Sequence, residues 1–165
     1  MEIELRPMTE NDWLGVLKIY KEGLATGHAT FEQEAPTYLE WDGSHLKNCR
    51  TVALSQNQIA GWAALSPVSG RCVYAGVAEV SIYVSDKFRG HKIGKRLLEK
   101  LIIESEEEGL WTLQAGVFPE NIPSIKIHEQ LGFRKVGYRE SIGEMNGIWR
   151  DTILLEKRSK RIGVK

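Results

Sequence analysis

The chain reads as an α/β protein, a central mixed β-sheet with helices on both faces. Three observations predict this. From Glu79 to Val84, the apolar Val80, Ile82 and Val84 alternate with Glu79, Ser81 and Tyr83, the period of a strand with two chemically different faces. After a short basic turn, Ile93, Leu97, Leu98, Leu101 and Ile102 fall on one stripe of a helix. Around this strand–turn–helix unit the remaining segments follow the order β-α-α-β-β-β-α-β-α-β-β.

Taken in order, Ile3 and Leu5 begin a short strand. Thr9 is placed as an N-cap, with Asp12 three positions on, before Trp13, Val16, Leu17, Tyr20 and Leu24 at helical spacing. Gly23 to Phe31 breaks that pattern with glycines, threonines and His28, either as a plain connection or as the lip of a pocket. A second helix follows Pro36 and carries Tyr38, Trp41, His45 and Leu46 on or near one face. Thr51 to Ser55 and Ile59 to Leu65 form a hairpin across Gln56-Asn57-Gln58. Pro67 to Gly76 is a loop leading into the Glu79 strand, and Gly109 ends the long helix.

Trp111 to Phe118 is apolar on much of both faces and belongs inside the sheet. Pro119-Glu120-Asn121 turns into a short helix with Pro123 near its start and Gly132 after its end. Phe133 to Arg139 and Trp149 to Glu156 are strands around the turn pair Asn146-Gly147. Residues 1–156 thus make one domain, and the basic segment 157–165 is expected to be a frayed, solvated tail.

Composition narrows the function. The chain has 165 residues, with 22 Lys+Arg against 22 Asp+Glu, so no basic field favours nucleic acid. No apolar run approaches the roughly 18 residues of a membrane span, and the N-terminus lacks a signal peptide's layout. Cys49 and Cys72 are the only cysteines, which suits a reduced, cytoplasmic protein. The four histidines and two cysteines show no paired spacing, so no metal site is expected.

Chemistry gathers at a few positions. The turn Arg89-Gly90-His91-Lys92-Ile93-Gly94, with Lys95 following, puts cations where the first amides of a helix lack partners. That is an anion cradle, and phosphate is the anion it suits. Neither familiar nucleotide fingerprint is present, which sets kinases and dinucleotide dehydrogenases aside. Glu79 in a central strand is either a rim carboxylate with a partner or a general base tuned by burial. His128 lies four residues after Ser124, on one helix face, as a structural or a catalytic histidine. Arg71 in its loop is the side chain best suited to grip a carboxylate or phosphinate.

The strand, the Arg-Gly-His-Lys-Ile-Gly turn and the helix resemble the acetyl-CoA site of the GNAT N-acetyltransferases. Asn121, Ser124 and the Leu131-Gly132-Phe133 ending match that superfamily's next motif. More narrowly, the chain resembles the phosphinothricin and methionine-sulfoximine acetyltransferase family. The matching segments are Thr30-Phe31-Glu32, Arg71…Tyr74…Ala78-Glu79-Val80-Ser81-Ile82-Tyr83-Val84, Pro123-Ser124…His128-Glu129-Gln130-Leu131-Gly132-Phe133 and Gly147-Ile148-Trp149-Arg150-Asp151.

The resemblance implies a GNAT-like fold, acetyl-CoA as co-substrate, a small-molecule amine as acceptor and a homodimer. It implies that backbone groups of Ile82, Tyr83 and Val84 hold the pantetheine arm as an added strand. The amides from Arg89 to Lys95 would take the pyrophosphate, and Asn121 and Ser124 the arm near the thioester. Glu79 would accept the amine's proton through water, and a strand amide would stabilise the oxyanion. Arg71 and Tyr74 would bind the acceptor's acidic end beneath Thr30 and Phe31. Two departures stand out: Lys92 occupies a position often held by glycine, and His128 replaces the superfamily's tyrosine acid.

Overall fold

A computed structural model describes the whole chain, residues 1–165. Its elements are β1 (Glu4–Pro7), α1 (Trp13–Thr26), α2 (Tyr38–Ser44), β2 (Thr51–Ser55), β3 (Gln58–Pro67), β4 (Val77–Val84), α3 (Ile93–Glu107), β5 (Thr112–Val117), α4 (Ile122–Gln130), β6 (Arg134–Met145) and β7 (Ile148–Arg158). The strands form one seven-stranded sheet in the order β1-β2-β3-β4-β5-β7-β6. Only β4 and β5 run parallel; every other neighbouring pair is antiparallel. The mixed α/β sheet expected from the sequence is the observed one.

Alternation along β3 divides the core between the two faces. Ala63 and Leu65 point to the α3 side, where Leu97, Leu98 and Leu101 are fully buried with Ala78, Leu113 and Leu155. Truncating any of these leucines to alanine would cost about 2–5 kcal/mol. Trp62 and Ala64 point the other way, into a second core with Val16, Ile19, Trp41 and Val52. There the Trp62 ring stacks on Tyr83 at 4.8 Å, and Tyr83 in turn meets Tyr20 at 5.2 Å.

Three segments differ from the sequence expectation. Gly23 does not break α1, which continues to Thr26 and ends at Gly27 with φ +73°. A β-carbon on Gly23 would lie 2.6 Å from the Tyr83 ring, so glycine is there for a close approach. The β6–β7 hairpin is longer than expected, and its register shifts between Arg139 and Gly143. Asp151 holds that irregularity by accepting from the Ser141 amide (2.7 Å) and the Tyr138 hydroxyl.

The basic C-terminal segment is not frayed. Lys157 and Arg158 belong to β7, and the Ser159 amide donates to the Trp111 carbonyl at 2.8 Å. The Ser159 hydroxyl accepts from the amides of Arg161 and Ile162, while Arg158 donates to the carbonyls of Ile162 and Gly163. The charged side chain there is spent on main-chain oxygens.

Candidate active site

The site begins where the sheet opens. β4 and β5 pair only from Val77–Thr112 to Glu79–Gln114. Beyond that point β4 stays with β3 as far as Val84, β5 stays with β7 as far as Val117, and the two strands part. Thr112 N–H donates to the Gly76 carbonyl, and Ser85 N–H donates to Ala60. By strand alternation, the even-numbered residues of β4 therefore turn their backbone groups toward β5. Val80, Ile82 and Val84 line the gap with an unpaired edge, set inside a sheet that has strands on both sides. Tyr83 departs from the expectation: its backbone is on the side paired with Trp62, so it adds nothing to that edge.

At the far end of β4 the chain turns through Asp86–Phe88 into α3, whose N-cap is Lys92 at φ +61°, ψ +21°. No side chain caps this helix, so its first-turn amides stay open. His91 and Lys92 are exposed and Lys95 is half-buried beside them. Arg89 shares its charge with Asp86 at 2.6 Å. Gly94 sits under Ile127 of α4, where a β-carbon would approach to 3.3 Å. The segment expected to cradle phosphate, from Arg89 to Lys95 with Gly90 and Ile93, runs from the end of that turn into the first residues of α3.

Glu79 stands at the apex of the fork. It is half-buried rather than sealed in the sheet, and its carboxylate receives the Gln114 side-chain amide at 3.4 Å instead of an arginine. Strand alternation puts it on the α1 face, with Ser81 and Tyr83. A carboxylate at that point can take a proton from a group bound on this face.

His128, on α4, is 3% exposed. Its Nδ1–H donates to the Ser124 carbonyl at 2.7 Å, which leaves Nε2 as a buried acceptor without a partner. Burial holds its imidazole below the ordinary histidine range. Near neutral pH the ring is uncharged and its only proton is engaged, so a proton-donor role does not fit this arrangement. The ring packs edge-on against the core residue Phe133 at 4.9 Å. Asn121 caps α4 by accepting from the Ser124 amide at 3.4 Å.

The segment expected to form a lip is the α1–α2 connection. Phe31 meets Phe118 edge-on at 4.8 Å and covers Gly143, where a β-carbon would lie 2.9 Å from its ring. Thr30 accepts from the Glu32 amide, and its hydroxyl lies beside the phenols of Tyr20 and Tyr83. Arg71 and Tyr74 sit in the exposed β3–β4 loop, with the guanidinium 5.6 Å from the tyrosine ring. No hydrogen bond or ring contact joins that pair to Thr30 or Phe31. Sequence reasoning missed Phe118 and Gly143 as partners of Phe31, because nothing local to either segment reports a contact made so far along the chain.

A family model described as the acetyltransferase (GNAT) family matches residues 13–133. The phosphinothricin N-acetyltransferase of Streptomyces coelicolor is 30% identical over 165 residues, covering 94% of this chain and 96% of its own. The L-methionine sulfoximine/L-methionine sulfone acetyltransferase of Pseudomonas aeruginosa is 26% identical over 166 residues, covering 94% of both chains. Among solved structures, the phosphinothricin acetyltransferase of Sinorhizobium meliloti in complex with acetyl-CoA superimposes with a TM-score of 0.85. It is 27% identical and covers 99% of this chain and 96% of its own.

Proposed function

This chain belongs to the acetyltransferase (GNAT) family, and from that premise we propose that it acetylates the α-amine of a small amino acid or amino-acid analogue. It is an acetyl-CoA-dependent N-acetyltransferase, and the relatives named for phosphinothricin and methionine sulfoximine support the substrate class. The observation that carries the reading is the fork: Glu79 stands at the point where β4 leaves β5 and an unpaired strand edge begins.

The site's chemistry fits acetyl-CoA. An amide-bearing arm suits an extended backbone edge, and a pyrophosphate suits an uncapped helix start flanked by His91, Lys92 and Lys95. Acetyl-CoA supplies an activated acetyl thioester. Ile82 and Val84 hold the arm through their main-chain groups, the turn from Arg89 to Lys95 holds the phosphates, and Asn121 and Ser124 flank the arm's reactive end. Glu79 would accept the ammonium's proton, directly or through water, freeing the lone pair to attack the acetyl carbonyl. The new C–N bond forms as the thioester C–S bond breaks, and CoA leaves as a thiolate that takes up a proton. Arg71 and Tyr74 recognise the acceptor's acidic end, and Thr30 with Phe31 closes over it.

A second copy of the chain suits the free edge of β6, where Tyr138 and Ile142 are exposed, next to the exposed Ile148 and Trp149 at the start of β7. We read the protein as a homodimer, which light scattering would test by mass. The free thiols of Cys49 and Cys72 support a reducing compartment such as the cytoplasm. No helix is long and apolar enough to cross a membrane.

The deciding experiment is thiol release from acetyl-CoA against phosphinothricin, methionine sulfoximine, methionine sulfone, the common amino acids, spermidine and an aminoglycoside. Turnover confined to amino acids and their analogues supports the proposal. Turnover on polyamines or aminoglycosides would keep the fold and cofactor but remove the acceptor class. A protein that binds acetyl-CoA yet acetylates nothing, peptide N-termini included, would be a non-catalytic acyl-CoA-binding regulator.

A further inference from the structure

Arg150, on β7, reaches carbonyl and ring partners up to 123 residues away along the chain. Its side chain is 13% exposed and lies 4.0 Å from the centre of the Phe118 ring. Nη1 donates to the Gly27 carbonyl (2.8 Å) and to Met145 Sδ (3.4 Å). Nη2 donates to His28 Nδ1 (3.0 Å) and to the Glu120 carboxylate (3.3 Å). Arginine has no acceptor, so the first two contacts in chain order fix the end of α1 and the tautomer of His28 together.

The chain of contacts continues to the start of α4. The His28 carbonyl accepts from Asn121 Nδ2 at 3.3 Å, and Asn121 Oδ1 caps α4 through the Ser124 amide. Phe31, three residues beyond His28, rests on Phe118, whose ring also meets the guanidinium. One half-buried cation therefore pins the start of the lip to the β5–α4 turn. Apart from Phe118 and Met145, its partners are backbone or polar groups. Its contacts place a loop more than they hold the sheet together.

We propose that Arg150 is a positioning residue for the acceptor: it holds Thr30 and Phe31 over the fork and links the lip to the Asn121 cap. This rests on the acetyltransferase reading above. Arginine's planar fork serves two acceptors while stacking on a ring, which lysine's single ammonium cannot do.

The test compares the wild type with Arg150→Gln and Arg150→Lys in four measurements: steady-state kinetics on the best acceptor, acetyl-CoA affinity by calorimetry, melting temperature, and amide hydrogen exchange. In both variants the acceptor KM should rise about tenfold, with kcat and acetyl-CoA affinity staying within about threefold. Exchange in residues 27–31 should quicken about tenfold or more while the β3 and α3 amides hold their protection. An unchanged KM, or full rescue by lysine, would overturn the proposal. So would a parallel loss of KM, cofactor affinity and melting temperature. If the wild type acetylates no acceptor, it is the acetyltransferase reading that fails. The exchange arm then decides alone, because unaltered exchange in 27–31 would mean that Arg150 does not hold the lip.

Discussion

Glu79 and Gln114 are the last paired residues before β4 and β5 part, and the Gln114 side chain donates to the Glu79 carboxylate at 3.4 Å. The contact fixes the carboxylate's direction without supplying a positive charge. One oxygen is thereby oriented, and the other has no hydrogen-bond partner within the chain, as the base proposed above requires.

Glu79→Gln should therefore lower kcat by about 10²–10⁴-fold, the usual worth of a positioned general base. Acetyl-CoA affinity, measured by calorimetry, should stay within about threefold, since the strand edge and phosphate turn are untouched. Equal losses in both quantities would take the base assignment away from Glu79.

Arg71→Ala should raise KM for acceptors with an acidic end by about tenfold or more, while acetyl-CoA affinity holds. The loop is exposed and its guanidinium has only the Tyr74 ring beside it, so the charge is free for a ligand. An unchanged KM would remove Arg71 from the acceptor pocket.

What the sequence made legible was local. Alternation in β4 and the apolar stripe of α3 are written in consecutive residues, and both elements stand where that pattern put them. Gly23 looked like a helix break because glycine disfavours helix, yet the nearby Tyr83 ring demands the missing β-carbon. The basic tail looked solvated because its charges suggest water, whereas Arg158 finds main-chain carbonyls. Arg150 was visible only as one letter of a family segment, since its partners lie on α1 and the β5–α4 turn. Tyr83 was placed in the right strand but on the wrong backbone side, because the pairing sense of β4 depends on β3 and β5. Contacts of that range leave no periodic trace.

Lys92→Gly should test the departure in the phosphate turn. A non-glycine residue in the left-handed region costs about 1–2 kcal/mol, and glycine's extra freedom in the unfolded chain returns roughly 0.5–1 kcal/mol of that. The variant should melt at the same temperature or slightly higher. It should also bind acetyl-CoA a few-fold more weakly at low salt, a gap that closes at high salt as the lost charge is screened. A clear drop in melting temperature would show that the Lys92 side chain contributes to folding.

His128 gives the pH prediction, and its sign follows from burial. The folded imidazole sits below its ordinary value of 6.5, so the unfolded chain binds the proton more readily. Its contribution to stability is full above the unfolded value and is lost as pH falls toward the folded one. The half-buried His45 is shifted in the same direction, also chiefly by burial, so the wild type alone cannot separate the two. His128→Asn keeps a donor for the Ser124 carbonyl and removes the titration. Denaturant melts between about pH 7.5 and about pH 5.5 should show a shallower loss of stability in the variant, by at most about 1.4 kcal/mol per pH unit. The same variant should retain kcat within about tenfold, with no change in the alkaline limb of its pH profile. A loss of several hundredfold, with that limb abolished, would return His128 to the role of proton donor.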